Sequence, residues 1–245
     1  MSASISLKSE PSSKPAKTLR LGGVTPFSAT DYPGKLAAVL FVQGCPWRCG
    51  YCHNPHLQAR TAANPVDWAQ LKAFLARRVG LVDAVVFSGG EPTIDPRLAD
   101  AMADVRALGF GIGLHTACIY PERLRQVLPQ VDWVGFDVKG PFADYARITG
   151  SDAGAQVRAS VETIIASGVA HECRTTTHPQ LHSPAMLMAL ARELASLGVR
   201  HYALQHLRPQ GCPSAHYPPV PSDYPGPEAL RAIAAEFTTF TLRPA

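Results

Sequence analysis

Three of the six cysteines fall within eight residues, in the stretch Gly44-Cys45-Pro46-Trp47-Arg48-Cys49-Gly50-Tyr51-Cys52-His53-Asn54-Pro55. The C-x3-C-x2-C spacing places three soft donors on one short loop, and thiolates are ligands of both zinc and iron–sulfur clusters. The cysteines alone leave two readings open. Three thiolates can hold three irons of a cubane and leave the fourth iron open, because a closed cluster takes four. Alternatively, the same cysteines with His53 and His56 can close a zinc site. Cys118, Cys173 and Cys212 are scattered and read as packed or incidental thiols.

A second group of residues, Val85-Val86-Phe87-Ser88-Gly89-Gly90-Glu91-Pro92, ends an apolar run. Paired glycines let backbone approach a ligand closely, and Glu91 is a carboxylate suited to a cationic group. The plain alternative is a strand-to-helix turn. Its position one strand after the cysteine loop favours the cluster with an open iron over zinc.

The elements that must position these groups can be read from hydrophobic period and punctuation. An edge strand is expected over 19–24, a turn at Pro33-Gly34, and a buried strand over 35–43 that delivers the chain to Cys45. That run is apolar on both faces, which suits a parallel sheet covered by helices. Asn64 is expected to cap a helix with Pro65 at its first position, running to about Arg78. Further strands are expected over 83–88, 110–116, 132–139, 171–177 and 201–206. Helices from Asp95-Pro96 to 108, over 121–128, over 153–167 and from Ser183 to 197 alternate with them, and Gly109, Gly168 and Gly198 stop three of the four. The stretch 208–227 is proline-rich and reads as an irregular lid or wrapping loop, followed by a helix over 227–236 and a strand near 238–242.

Six strand-helix units imply parallel pairing and fall short of the eight that close a full barrel. The expected fold is α/β, an open partial (β/α)6 barrel with its chemistry at the carboxyl ends of the strands.

With 245 residues, 46% hydrophobic and 17% charged, the chain can bury one large domain, expected over 19–245 behind a disordered tail at 1–18. Lys8, Lys14, Lys17 and Arg20 against Glu10 put +3 of the net +4 in the first twenty residues, leaving about +1 for the rest. No basic face for nucleic acid follows from that balance. No run approaches the roughly 18 apolar residues needed to cross a bilayer, and the tail lacks the apolar core of a secretory signal. A cytoplasmic location is expected, where clustered cysteines point to metal rather than to disulfides.

The loop Cys45, Cys49 and Cys52, with an aromatic before the third cysteine, together with Gly89-Gly90-Glu91-Pro92, resembles the radical S-adenosylmethionine superfamily. The resemblance implies a [4Fe-4S] cluster on the three cysteines, its fourth iron chelated by the amino and carboxylate groups of S-adenosylmethionine. It implies that Tyr51 lies near the adenine and that the Gly89, Gly90, Glu91 edge receives the methionine amino group. Reductive cleavage would then release a 5′-deoxyadenosyl radical, chemistry that belongs to the cofactor while the protein positions it. On the same basis Lys139 and Arg174 are candidates to hold the carboxylate, with an ion pair to Asp137 or a nearby carboxylate as the alternative. Asp137 could hydrogen-bond the ribose or order Lys139. His206 could touch the ribose or the substrate, or be structural.

Asp31-Tyr32-Pro33-Gly34, Val42-Gln43-Gly44-Cys45 and Tyr51-Cys52-His53-Asn54-Pro55 are similar to the activating enzymes of glycyl radical proteins. Phe136-Asp137-Val138-Lys139, Glu172-Cys173-Arg174-Thr175-Thr176-Thr177-His178 and Tyr202-Ala203-Leu204-Gln205 are similar to the activators of anaerobic ribonucleoside-triphosphate reductase. That resemblance implies a glycyl radical enzyme as partner and a flavodoxin or ferredoxin as electron donor. Many activases carry Asp-Thr-Asn-Gly at the third strand's end where this chain has His115-Thr116-Ala117-Cys118, which puts a cation site there in question. Two other readings compete. One is a radical enzyme acting on a small molecule such as a deazapurine precursor. The other is a non-enzymatic zinc- or iron–sulfur-stabilised interaction module.

Overall fold

The computed structural model describes residues 18–61, 65–209, 212 and 217–245. The expectations for the tail at 1–18 (all but its last residue), for Asn64 and for part of the 208–227 stretch lie outside those residues. The strands are β1 (Leu21–Ser28), β2 (Ala37–Val42), β3 (Ala84–Gly89), β4 (Gly111–Thr116), β5 (Trp133–Asp137), β6 (Ala170–Thr177), β7 (His201–His206) and β8 (Thr239–Arg243). The helices are α1 (Trp68–Ala76), α2 (Leu98–Ala107), α3 (Pro121–Val127), α4 (Tyr145–Thr149), α5 (Gly154–Ser167), α6 (Pro184–Ser196) and α7 (Pro227–Ala235). Every expected strand and helix has its counterpart; α4 is an addition, a five-residue helix closed by Gly150 in the left-handed region at φ 73°. Among the described residues no helix is long and apolar enough to cross a membrane.

The chain groups into two compact units. In the first, β1 pairs antiparallel with β2, and β2, β3 and β4 pair parallel. The β2 residues Ala37 to Leu40 and the β3 residues Ala84 to Phe87 are all 0% exposed, because both faces of these central strands are covered. Tyr32 and Trp133 close one face over Ala37, Val39, Ala84 and Val86, with ring centroids 5.2 Å apart. Asp132 N–H donates to Ile112 O at 2.9 Å, and its carboxylate accepts from Ile112 N–H at 2.7 Å, which sets the start of β5 beside β4.

Some boundaries differ from the expectation. Helix α2 begins at Leu98, so Asp95 and Pro96 precede it instead of capping and opening it: Asp95 Oδ1 accepts from Arg97 N–H at 2.9 Å, its Oδ2 pairs with Arg60 at 3.1 Å, and the helix has no side-chain cap. Helix α1 begins at Trp68, and its cap is Asp67, whose Oδ1 accepts from Gln70 N–H at 2.8 Å. Pro65 therefore precedes the helix instead of opening it. Asp67, which the sequence reading did not single out, is extended at ψ 128° and has the short carboxylate a cap requires.

The second unit holds the end of β5 with β6, β7 and β8. Val138 N–H donates to Arg174 O at 2.9 Å, and β6, β7 and β8 pair parallel in unbroken register. Strand β5 stops at Asp137, so Lys139 lies just beyond a strand that the sequence pattern carried through it. Helix α6 is capped as expected by Ser183, whose hydroxyl accepts from Met186 N–H at 3.2 Å.

Candidate active site

In the first unit the end of β3 is stitched to the start of the cysteine loop. Val42 lies opposite Gly89 in the β2–β3 register. Gly90 N–H donates to Val42 O at 3.0 Å and Glu91 N–H to Gly44 O at 2.8 Å. Gly89 sits at φ 123°, where a side chain is strained, and a Cβ there would lie 2.4 Å from Val42 N and O. A Cβ on Gly90 would lie 2.4 Å from Gly44 O. The paired glycines thus bring two backbones together, and what they approach here is the main chain of the cysteine loop. Gly44 N–H donates to Leu57 O at 2.7 Å and Cys45 N–H to Gln58 O at 3.0 Å, so Cys45 leaves a backbone fixed on both sides.

Glu91 is 0% exposed. Its carboxylate accepts from Thr93 N–H at 3.0 Å, from Thr93 Oγ1 at 2.6 Å, and from Thr116 Oγ1 at 3.0 and 3.1 Å. The side chain therefore ties the turn after β3 to the end of β4 and turns inward. The main chain of Gly89 to Glu91 is the part of this motif that forms an edge.

In the second unit Cys49 is buried and Cys52 half-buried, with Cys52 N–H donating to Cys49 O at 3.1 Å. Burial pushes the Cys49 thiol up and Cys52 adds to the shift, while the Lys139 charge opposes it. Tyr51 is 3% exposed, and its hydroxyl is buried without a hydrogen-bond partner among the described residues. Burial drives its pKa up. The Lys139 ammonium lies 5.8 Å from the centroid of the Tyr51 ring and 3.4 Å from Asp137 Oδ2. Burial disfavours the Lys139 charge, but Asp137, Tyr51, Cys49 and Tyr145 together raise its pKa well above the ordinary lysine value. The Lys139 side chain thus lies over the aromatic residue that precedes Cys52, with Asp137 beside it.

Residues 39–182, more than half of the chain, match the Radical SAM superfamily. The chain belongs to the radical SAM superfamily. It is 27% identical over 220 residues to a Methanocaldococcus jannaschii protein named "Putative glycyl-radical enzyme activating enzyme", covering 82% of this chain and 85% of that one. It is 31% identical over 137 residues to the pyruvate formate-lyase-activating enzyme of Clostridium pasteurianum, covering 54% of this chain and 57% of that one. In fold it is similar to Streptococcus suis SuiB bound to its precursor peptide SuiA, with a TM-score of 0.66 at 11% identity over 84% of this chain. The chain spans about half of SuiB, 48% of its length, and the likeness concerns the fold. The protein is a radical SAM enzyme with an α/β, parallel-strand fold, homologous to activating enzymes of glycyl radical enzymes.

Radical SAM enzymes use a [4Fe-4S] cluster and S-adenosylmethionine. The donor set fits such a cluster: Cys45, Cys49 and Cys52 are three soft donors on one loop, and none of the six cysteines is in a disulfide. Among the described residues no three His, Cys, Asp or Glu side chains already form a metal cage. The Tyr51 hydroxyl is a buried polar atom left without a partner among the described residues, and the Lys139 ammonium lies 5.8 Å from the centroid of the same ring.

Other candidates sit in structural contacts. Arg174 Nε donates to Glu172 Oε1 at 2.8 Å, and Glu172 Oε2 accepts from Arg243 at 2.9 Å, so its carboxylate neighbour is two residues away on the same strand. His206 is buried, with Nε2 3.0 Å from Tyr224 O. His115, in the first unit, places Nε2 2.8 Å from Asp31 O and packs edge-on to Trp133. His53 Nε2 lies 2.9 Å from Arg208 O, and Cys212 Sγ lies 3.4 Å from Tyr51 O, contacts by which residues beyond β7 meet the cysteine loop. Sequence reasoning passed over Thr93 and Thr116. Thr93 was within reach, since a hydroxyl two residues after a buried carboxylate is a local partner, whereas Thr116 becomes visible only once β4 lies beside β3.

Proposed function

We propose that this protein is a radical SAM activase that abstracts a hydrogen atom from a backbone glycine of a partner enzyme. The observation that carries the reading is the main-chain stitching of the Gly89–Glu91 edge to Val42 and Gly44, which holds the glycine edge against the residues that lead into Cys45. The relative that matches over 85% of its own length supports an activase over other radical SAM chemistries. In this reading Cys45, Cys49 and Cys52 hold the cluster. Main-chain acceptors of Gly89, Gly90 and Glu91 receive the methionine ammonium, and Tyr51 lies near the adenine. Lys139, ordered by Asp137, meets the carboxylate; Arg174 is a second cation for it, and His206 borders the ribose. When bound, the cluster and S-adenosylmethionine supply the radical that takes the hydrogen. The chain's own residues orient the ligand and exclude water.

The finer reading is that the partner is anaerobic ribonucleoside-triphosphate reductase, with a flavodoxin or ferredoxin as electron donor in the cytoplasm. It draws support from where the resembling pieces fall: 136–139, 172–178 and 202–205 lie on or just past β5, β6 and β7 and carry Asp137, Lys139 and Arg174. Residues 19–245 are read as one functional domain, a reading supported by the family match running from 39 to 182 across segments of both units.

Two measurements test the proposal. Cys49→Ala is expected to abolish cluster iron and S-adenosylmethionine cleavage together, and retention of both would refute the assignment. Anaerobic incubation of the reduced protein with the reductase is expected to give a glycine-centred doublet in electron paramagnetic resonance. Cofactor cleavage without a doublet on any glycyl radical protein would favour a small-molecule substrate.

A further inference from the structure

Lys139 is gripped by its main chain from two sides. Its N–H donates to Tyr145 Oη at 2.9 Å, and its carbonyl accepts from His182 Nε2 at 2.8 Å. A carbonyl oxygen only accepts, so Nε2 carries the imidazole proton and Nδ1 the lone pair. The Thr177 hydroxyl lies 3.3 Å from that Nδ1. The ring is further seated by Tyr224, whose Oη donates to His182 O at 2.7 Å and lies 2.9 Å from Thr177 Oγ1. Tyr145 and His182 are both 0% exposed. Tyr145 is itself wedged edge-on against Trp47 and stacked on Phe142, at centroid distances of 5.7 and 6.3 Å. The next residue is constrained as well: a Cβ on Gly140 would lie 2.4 Å from Ile148 Cδ1 and 3.0 Å from His182 Nε2.

We propose that Tyr145 and His182 are positioning residues that fix Lys139 by its N–H and C=O, so that its ammonium is presented over the Tyr51 ring. The inference rests on the reading of Lys139 as a contact for the carboxylate of S-adenosylmethionine. Its physical basis is that a lysine is a flexible stem, and binding through it is weakened by every rotamer that must be frozen. Lys139 lies past the last residue of β5, where the ladder no longer fixes it. The two buried side chains take over that role. They also connect it to the proline-rich stretch, because Tyr224 belongs to that stretch and seats His182.

The test uses the cluster-loaded full chain, with equilibrium binding of S-adenosylmethionine as one readout. Amide hydrogen exchange over residues 139–140 in the cofactor-free protein is the other, and it does not depend on activity. Tyr145→Phe and His182→Leu are each expected to weaken binding about three- to tenfold, the range of one net hydrogen bond, and to speed exchange over 139–140. His182→Gln retains an N–H at the same reach and is expected to restore binding to within about twofold. Tyr145→Phe keeps the ring and its packing, so it remains informative if His182→Leu fails to fold. Wild-type binding and exchange in Tyr145→Phe and His182→Leu, with weakened binding in Lys139→Met, would overturn the clamp and leave the role of Lys139 standing. Unchanged binding in Lys139→Met would overturn both.

Discussion

Glu91 is the clearest case in which a residue's type was legible but its role was not. It is fully buried and accepts from three donors on two residues. Glu91→Ala leaves those donors unsatisfied, and each buried unpaired group costs on the order of 1–3 kcal/mol, so urea unfolding should show a loss of about 3 kcal/mol or more. His182 gives a prediction in pH. Burial lowers its pKa from 6.5 to about 4, with Arg147 lowering it further and the Lys139 carbonyl and Asp144 opposing. The folded state therefore binds fewer protons than the unfolded chain between those values. Its contribution is fully present above pH 6.5 and is lost progressively as pH falls toward 4, by at most about 3 kcal/mol. His182→Gln should flatten that part of the stability–pH curve, measured by urea titrations at successive pH values.

Between elements, β2 and β3 decide how the two motifs meet. Their parallel register sets Val42 against Gly89, and the two N–H bonds that follow continue the ladder past the end of β3 into the loop. Only glycine allows this, because a single methyl at position 90 would collide with Gly44 O. Gly90→Ala is therefore expected to cost about 2 kcal/mol or more in unfolding free energy and to lower the iron retained after reconstitution. Unchanged iron stoichiometry in a folded Gly90→Ala protein would show that the stitching does not support the loop. In the second unit β5 plays the corresponding part: by stopping at Asp137 it leaves Lys139 to be held by side chains from α4 and from the turn before α6.

For the molecule as a whole, the question is whether a metal holds the fold. Each compact unit is built on strands and helices with buried aliphatic side chains, such as Ala37, Val39, Ala84 and Val86 in the first and Leu187, Leu190, Leu194 and Leu204 in the second. A structural zinc module unfolds when its metal is removed. Here chelation and removal of the cluster are expected to leave far-UV circular dichroism unchanged and to lower the unfolding free energy by less than about 2 kcal/mol. Collapse of both units on chelation would favour the interaction-module reading instead.

The sequence by itself determined the alternation of strands and helices, the clustering of three cysteines and the glycine edge, because hydrophobic period, punctuation residues and cysteine spacing are local properties of the chain. The cysteines and Gly89-Gly90-Glu91 came from tight motifs, while the roles of Asp137, Lys139, Arg174 and His206 came from the family resemblance together with where strands were expected to end. The tertiary structure decided which way Glu91 turns, which carboxylate meets Arg174, and how Lys139 is held by Tyr145 and His182. Each of those depends on partners 6 to 43 residues distant or on the face a strand presents, and neither is fixed until strands lie side by side. The cap of α1 shows the same limit at short range, since Asn64 was the expected cap and the helix instead starts at Trp68 behind Asp67.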